Sequence, residues 1–345
     1  MTWHLLERPR ETLVICSVDT EEDNWEPRRD GVTVNNVGQL PRLGELMGEL
    51  NAPLTYFVTH AVAANAASCR VLRKLVDQGN SEIAAHLHPW NTPPLTESIS
   101  PPNLMLNNLP ASLQFSKLRQ LSDRLEDALG QSPASFRAGR SGLGSSTIDV
   151  IRRCGYTIDS SVMPFYDLRP AHGPSFVGVP NRAYCIGESG NALDPQTAGP
   201  VLEIPMSSAY SRVPFELWDA IHRRLGSRVG RALRLRGVAA RAGLFSKITL
   251  RPELENVEDM LRLSRTLIAQ GSSHLQIMWH SPSLLPGISP FVRTFAERDR
   301  LLARIRGFIE GLRQGASVRF VTLSQAAQSL ARRGPDRQLA PSHPG

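Results

Sequence analysis

The sequence predicts an α/β protein on a mainly parallel sheet, either open or closed into a barrel. Three observations carry this expectation. Short apolar runs of strand length alternate with helical stretches through most of the chain. Two of the helical stretches stop at glycines, Gly79 and Gly130. Polar residues with chemical potential cluster just after the apolar runs, where parallel folds gather their sites.

The elements follow in order. TLVICSV (12–18) is an uninterrupted apolar run and reads as a buried strand. VGQLPRLGELMGELN (37–51) has helical spacing, LTYFVT (54–59) reads as a strand, and SCRVLRKLVDQG (68–79) as a helix. EIAAHL (82–87) is a strand, and SLQFSKLRQLSDRLEDALG (112–130) an amphipathic helix. ASFRA (134–138), YTIDSS (156–161) and VLEIPM (201–206) are strands. ENVEDMLRLSRTLIAQG (255–271) is a helix, LQIMWH (275–280) a strand, and 291–315 a long helix. VRFVTL (318–323) is the last strand, with a short helix after it.

Two segments break the rhythm. Residues 89–111 are rich in Pro and Asn and read as a long loop over the strand ends. Residues 207–250 contain HRRLGSRVGRALRLRGVAARAGLFSK (222–247), with eight Arg/Lys and no acid. The expected organisation is one catalytic domain over 1–332 with a basic insertion near 207–250, and a disordered tail at 333–345.

Composition excludes some classes. A hydrophobic share of 41% in 345 residues supports a real core and argues against disorder. The four cysteines are scattered, with no CxxC pair, which argues against a zinc ribbon or a disulfide scaffold. The N-terminus has charges where a signal peptide needs apolar residues, and no run approaches a membrane span. The expectation is a cytoplasmic protein. The net charge of +7 attracts anions in general. No nucleic-acid recognition motif is present.

Five strand ends run into reactive residues: TLVICSV into DTEEDNW, EIAA into HLHPW, ASF into RAGR, YTI into DSS, and LQIMW into HSPS. In extended chain, residues i and i+2 share a side. His86 and His88 therefore face one point, and so do Asp19 and Glu21. Two imidazoles and a carboxylate suit a zinc-like divalent ion with a position left open for water. The second carboxylate is then free to act as a base. Each motif has a plainer reading: His-x-His as packing, the acids as solvent or helix-capping groups, RAGR as a glycine turn, Asp159 as a turn residue, His280 as an edge histidine.

In this order the motifs resemble the polysaccharide deacetylases of the NodB-homology type, carbohydrate esterase family 4. The resemblance runs from about Leu13 to Leu323 through SVDTEED, AAHLHPW, FRAGR, DSS and MWHSPSL. It implies a distorted (β/α) barrel of about seven to eight mainly parallel strands. It implies Glu21, His86 and His88 as metal ligands, most simply for Zn2+, and Asp19 as general base. Arg137 would hold Asp19 ionised, His280 would be the general acid, and Asp159 would orient His280. Backbone N–H groups near Gly139 and Arg140 would hold the oxyanion, and Trp90 would contact substrate. The chain departs from the family at several points. The family commonly places three residues between its histidines, which would put the second ligand at Trp90; here only Leu87 separates them. Asp19 and Glu21 stand for paired aspartates, and RAGR lacks the usual Pro and aromatic.

The implied function is removal of an acetyl group from an N-acetylated sugar, an intermediate of surface-polysaccharide or glycolipid synthesis. The 222–247 stretch would contact an anionic membrane face or a sugar phosphate. Rival readings are hydrolysis of a small cyclic amide, and a sugar-binding member that has lost catalysis.

Overall fold

The computed structural model describes residues 2–5, 11–79, 81–130, 132–192, 194–226 and 245–332. Among the described residues eight strands run parallel: β1 (Thr12–Thr20), β2 (Leu54–Val58), β3 (Ser81–Leu87), β4 (Ser135–Ala138), β5 (Ile158–Asp159), β6 (Val201–Glu203), β7 (His274–His280) and β8 (Val318–Val321). They run in the order β7-β1-β2-β3-β4-β5-β6. β1 has β7 along one edge. On its other edge β8 pairs with Thr12–Ile15 and β2 with Cys16–Thr20. Past β6 the sheet continues antiparallel through Tyr184–Ile186.

No ladder joins β6 to β7 among the described residues, so the barrel is distorted. Three hydrogen bonds span the gap instead. His274 Nε2 donates to Pro205 O (2.9 Å), Gln276 N to Ser207 Oγ (2.9 Å), and Met278 N to Leu250 O (3.0 Å). Burial lowers the His274 pKa to about 4, so this imidazole is a neutral structural group.

Strand parity decides what faces the lumen. Leu13 and Ile15 pack inside the barrel with Phe57, Ala84, Ile158 and Leu202, whereas Val14, Cys16 and Val18 pack outside. The outer core includes residues of α1 (Leu40–Glu49), α2 (Ala66–Asp77) and α3 (Ala111–Leu129). Those of α4 (Ser145–Arg153), α5 (Val257–Ala269) and α6 (Phe295–Gly315) belong to it too. α7 (Leu323–Leu330) closes the N-terminal mouth with Leu323, Ala326, Ala327 and Leu330. Ser17 and Asp19 continue the inward row of Leu13 and Ile15. The same parity sends His86, Arg137 and His280 inward.

The helices stop where the sequence indicates. Gly130 takes φ +67° and its N–H caps α3 on Glu126 O. The strand DSS segment is shorter than expected, only Ile158–Asp159, because Ser160 and Ser161 turn to bond Arg137 and Asp159. The short strands Trp3–Leu5, Ala198–Gly199 and Ala331–Arg332 form a small antiparallel sheet that the sequence reading missed. Its strands have two or three residues, too few to show a period.

Within 207–250, Ser208–Tyr210 pairs with Lys247–Thr249 beside the β6/β7 gap, and a helix covers Phe215–Leu225. Most of the basic stretch 222–247, and the tail 333–345, lie outside the described residues. Among the described residues no helix is long and apolar enough to cross a membrane.

Candidate active site

The ends of β1, β3, β4 and β7 meet at one mouth of the barrel. Adjacent-strand register sets Asp19 beside His280, and His86 beside Arg137. The cleft above them measures about 300 Å³, lined by residues including Asp19, Glu21, His86, His88 and His280.

Glu21, His86 and His88 come together, all buried, with one ligand atom of each within 4.8 Å of the others. His86 Nε2 and His88 Nε2 are 3.1 Å apart, and Glu21 Oε2 lies 3.7 and 3.3 Å from them. The outer nitrogens are committed. His86 Nδ1 donates to Arg137 O (3.0 Å), an oxygen that can only accept. His88 Nδ1 donates to Glu22 Oε1 (2.7 Å), which also accepts from Trp90 Nε1 (3.2 Å). With each Nδ1 engaged, both rings turn their Nε2 atoms, with a carboxylate, toward one point. Such a donor set calls for a cation. Burial opposes charge on His88, but Glu22 and Glu21 outweigh it and push its pKa up to about 10. Burial likewise opposes ionisation of Glu21, but the three histidines lower its pKa. The residues present fit a divalent metal.

Asp19 lies beside this trio. Its Oδ1 accepts from Arg137 Nη1 at 2.5 Å, and its Oδ2 is 3.8 Å from His86 Nε2 and 3.9 Å from His280 Nε2. Burial raises its pKa, and Arg137, His86 and His280 more than reverse that. Arg137 is held by Ser160 O (2.9 Å), Ser17 Oγ and Ser160 Oγ (both 3.2 Å), over the Phe57 ring at 3.8 Å.

His280 is oriented by Glu253. Nδ1 lies 3.0 Å from Glu253 Oε2, and Arg251 and Ser283 hold that carboxylate in turn. Burial lowers the His280 pKa, but Glu253 and Glu21 raise it overall. Trp25 and Phe291 pack on the ring.

Asp159 does not make the expected contact with His280. Ile158 faces the lumen, so Asp159 points to the opposite side of β5. There it accepts from Ser161 Oγ (2.8 Å) and Ser161 N (3.2 Å), beside Glu203, its register partner on β6. Ser161 Oγ accepts from Ala138 N (2.8 Å), so Asp159 supports the turn that carries Gly139 and Arg140.

That turn, Gly139–Ser141, follows β4. A Cβ on Gly139 would stand 2.4 Å from His88 Cδ2 and 2.7 Å from Leu87 O. Only glycine lets the turn close against the histidine motif. Trp90 is not placed as a ligand; its ring stacks on His88 at 4.2 Å. Lys117 of α3 fixes the loop that follows. It is buried and donates to Pro89 O (2.9 Å), Thr92 O and Pro94 O (2.7 Å each), and pairs with Glu97 (3.0 Å).

The sequence reading missed Glu22 and Glu253. Glu22 sits in the acidic motif but with the other parity from Asp19 and Glu21, so spacing hid it. Glu253 lies in RPELEN, outside any strand, and no local signal marks it.

No protein-family model matches the chain, and no curated protein matches it. Among solved structures it is similar to a protein assigned as a polysaccharide deacetylase in Mycobacterium smegmatis: 19% identity, 94% of this chain and 92% of the other, TM-score 0.54. It is similar to the Puue allantoinase at 14% identity, 92% and 89% coverage and TM-score 0.52. It is also similar to a protein assigned as a polysaccharide deacetylase in Pseudomonas aeruginosa PAO1: 15% identity, 92% and 90% coverage, TM-score 0.50. At such identities the likeness is one of fold. With its curled parallel sheet and its coverage nearly end to end, the chain has the distorted (β/α)-barrel fold of the polysaccharide deacetylases.

Proposed function

We propose that the protein is a metal-dependent hydrolase that removes an acetyl group from an N-acetylated sugar. One observation carries this reading: two imidazole Nε2 atoms and a carboxylate converge on one point, with Asp19 and His280 beside it. A zinc-like ion held by Glu21, His86 and His88 would supply Lewis acidity toward water and the acyl carbonyl.

The other residues supply proton transfers. Arg137 occupies Asp19 Oδ1 and leaves Oδ2 turned to the cleft, so the ionised carboxylate is positioned to accept a proton from the attacking water. His280 gives its Nδ1–H to Glu253, so its Nε2 is the atom that faces Asp19. Protonated, that Nε2 can donate to the departing amine nitrogen. Asp19 has a lowered pKa and His280 a raised one, so base and acid are in the correct opposite states together. The Gly139–Arg140 turn, closed on His88, is the candidate for oxyanion N–H groups.

The substrate we place in surface-polysaccharide or glycolipid synthesis in the cytoplasm, with 222–247 as a membrane or phosphate contact; that part rests on sequence alone. The small cleft also supports a second reading, hydrolysis of a small cyclic amide. Acetate release from N-acetylhexosamine conjugates tests the first. Release that vanishes in Asp19→Asn supports it; no release, with opening of cyclic amides, replaces it by the second.

A further inference from the structure

Arg140 lines the cleft beside Glu21, His88 and Trp90. Two other arginines around the site are committed, Arg137 to Asp19 and Arg251, beside His280, to Glu253. Among the described residues no carboxylate lies within ion-pairing distance of Arg140. It is nevertheless held in place. Its guanidinium lies 5.3 Å over the Trp90 ring, and that ring stacks on His88. The turn beneath it is clamped, by His88 and Leu87 at Gly139, and at Gly142 by Leu106, whose N would stand 2.7 Å from an added Cβ. Arg140 and Ser141 take φ +55° and +57°, left-handed values that side chains rarely adopt. Arg140 is exposed at the cleft, so its guanidinium is open to an incoming group.

We propose that Arg140 reads an anionic group, a carboxylate or a phosphate, on the unit whose amide meets Glu21, His86 and His88. This rests on the deacetylase reading and names its substrate class: an acidic or phosphorylated N-acetyl sugar, small enough for a cleft near the low end of ligand-site volumes. The planar guanidinium fork matches either anion.

The test compares neutral N-acetylglucosamine with its 1-phosphate and with its 6-carboxylate on zinc-loaded full-length protein. The wild type is expected to favour an anionic substrate by roughly 10- to 100-fold in kcat/KM. The larger of the two ratios identifies phosphate or carboxylate. In Arg140→Gln the ratio should fall to near one, and Arg140→Lys should keep part of it. A wild-type ratio near one overturns the proposal. So does a Gln variant that slows all substrates equally, which would make Arg140 an oxyanion or structural group. A preference retained in Arg140→Gln assigns the anion to the metal, and also overturns it. If nothing releases acetate, the deacetylase reading fails and binding decides for Arg140. Quenching of the cleft tryptophans Trp25 and Trp90 by glucuronate or glucose 1-phosphate, against glucose, should show the same preference and the same loss in Arg140→Gln. Equal binding would end the idea.

Discussion

His280 Nδ1 lies 3.0 Å from Glu253 Oε2, and the carboxylate is fully buried behind it. This contact fixes which imidazole nitrogen faces the cleft and holds the ring's charge. Removing the carboxylate's charge should therefore lower the pH at which the ring loses its proton. In Glu253→Gln the alkaline limb of the kcat/KM profile should move to lower pH. The sign follows from Glu253 being the main cause that raises the His280 pKa. An unmoved limb would mean that another group donates the proton.

Glu22 accepts from His88 Nδ1 at 2.7 Å and from Trp90. Partners of this kind fix ligand orientation, and their loss typically costs about 10- to 100-fold in metal affinity. Glu22→Gln should weaken zinc by that factor in a chelator competition while the fold, read by circular dichroism, stays intact. Unchanged affinity would show that the Glu22 contact does not tune the ligand.

Asp159 and Glu203 form a fully buried pair, and among the described residues neither is joined to a cation by an ion pair. Burial raises both pKa values, that of Glu203 well above the ordinary 4.5; Asp159 further opposes ionisation of Glu203, whereas the hydrogen bond from Glu203 favours an ionised Asp159. Groups whose folded pKa is raised stabilise below the unfolded value, and that stability is lost as pH rises through the folded one. Glu203→Gln removes one of the two. The Tm difference between variant and wild type should therefore grow in the variant's favour from pH 4 to pH 8. A difference independent of pH would contradict the linkage.

Lys117 has no exposed side-chain surface and ties three carbonyls and Glu97 below the histidine loop. Breaking a buried pair by deleting one partner costs about 3–5 kcal/mol. Lys117→Ala should lose stability of that order in urea denaturation. A loss below about 1 kcal/mol would mean that water replaces the ammonium.

The chain's sequence made the layout of the barrel readable because its strands are buried on both faces. Runs such as TLVICSV are therefore continuous, and each ends where its chemistry begins. The i, i+2 pairings of His86 with His88 and of Asp19 with Glu21 were legible without tertiary information, whereas the choice of Glu21 to complete the cluster came from the resemblance. The partner of His280 was not legible. Asp159 stands at the right strand end, but its parity turns it outward, and parity is known only once Ile158 is seen to face the lumen. Glu253 reaches His280 through the tertiary closure between β6 and β7, where Leu250 O accepts from Met278 N. No periodic pattern encodes that closure.

The most direct measurement is the divalent metal content of purified wild type, His86→Ala and Glu21→Gln by elemental analysis. One tightly held equivalent in the wild type, largely lost in both variants, is the predicted result. A metal-free wild type after zinc reconstitution, or full occupancy in His86→Ala, would contradict it.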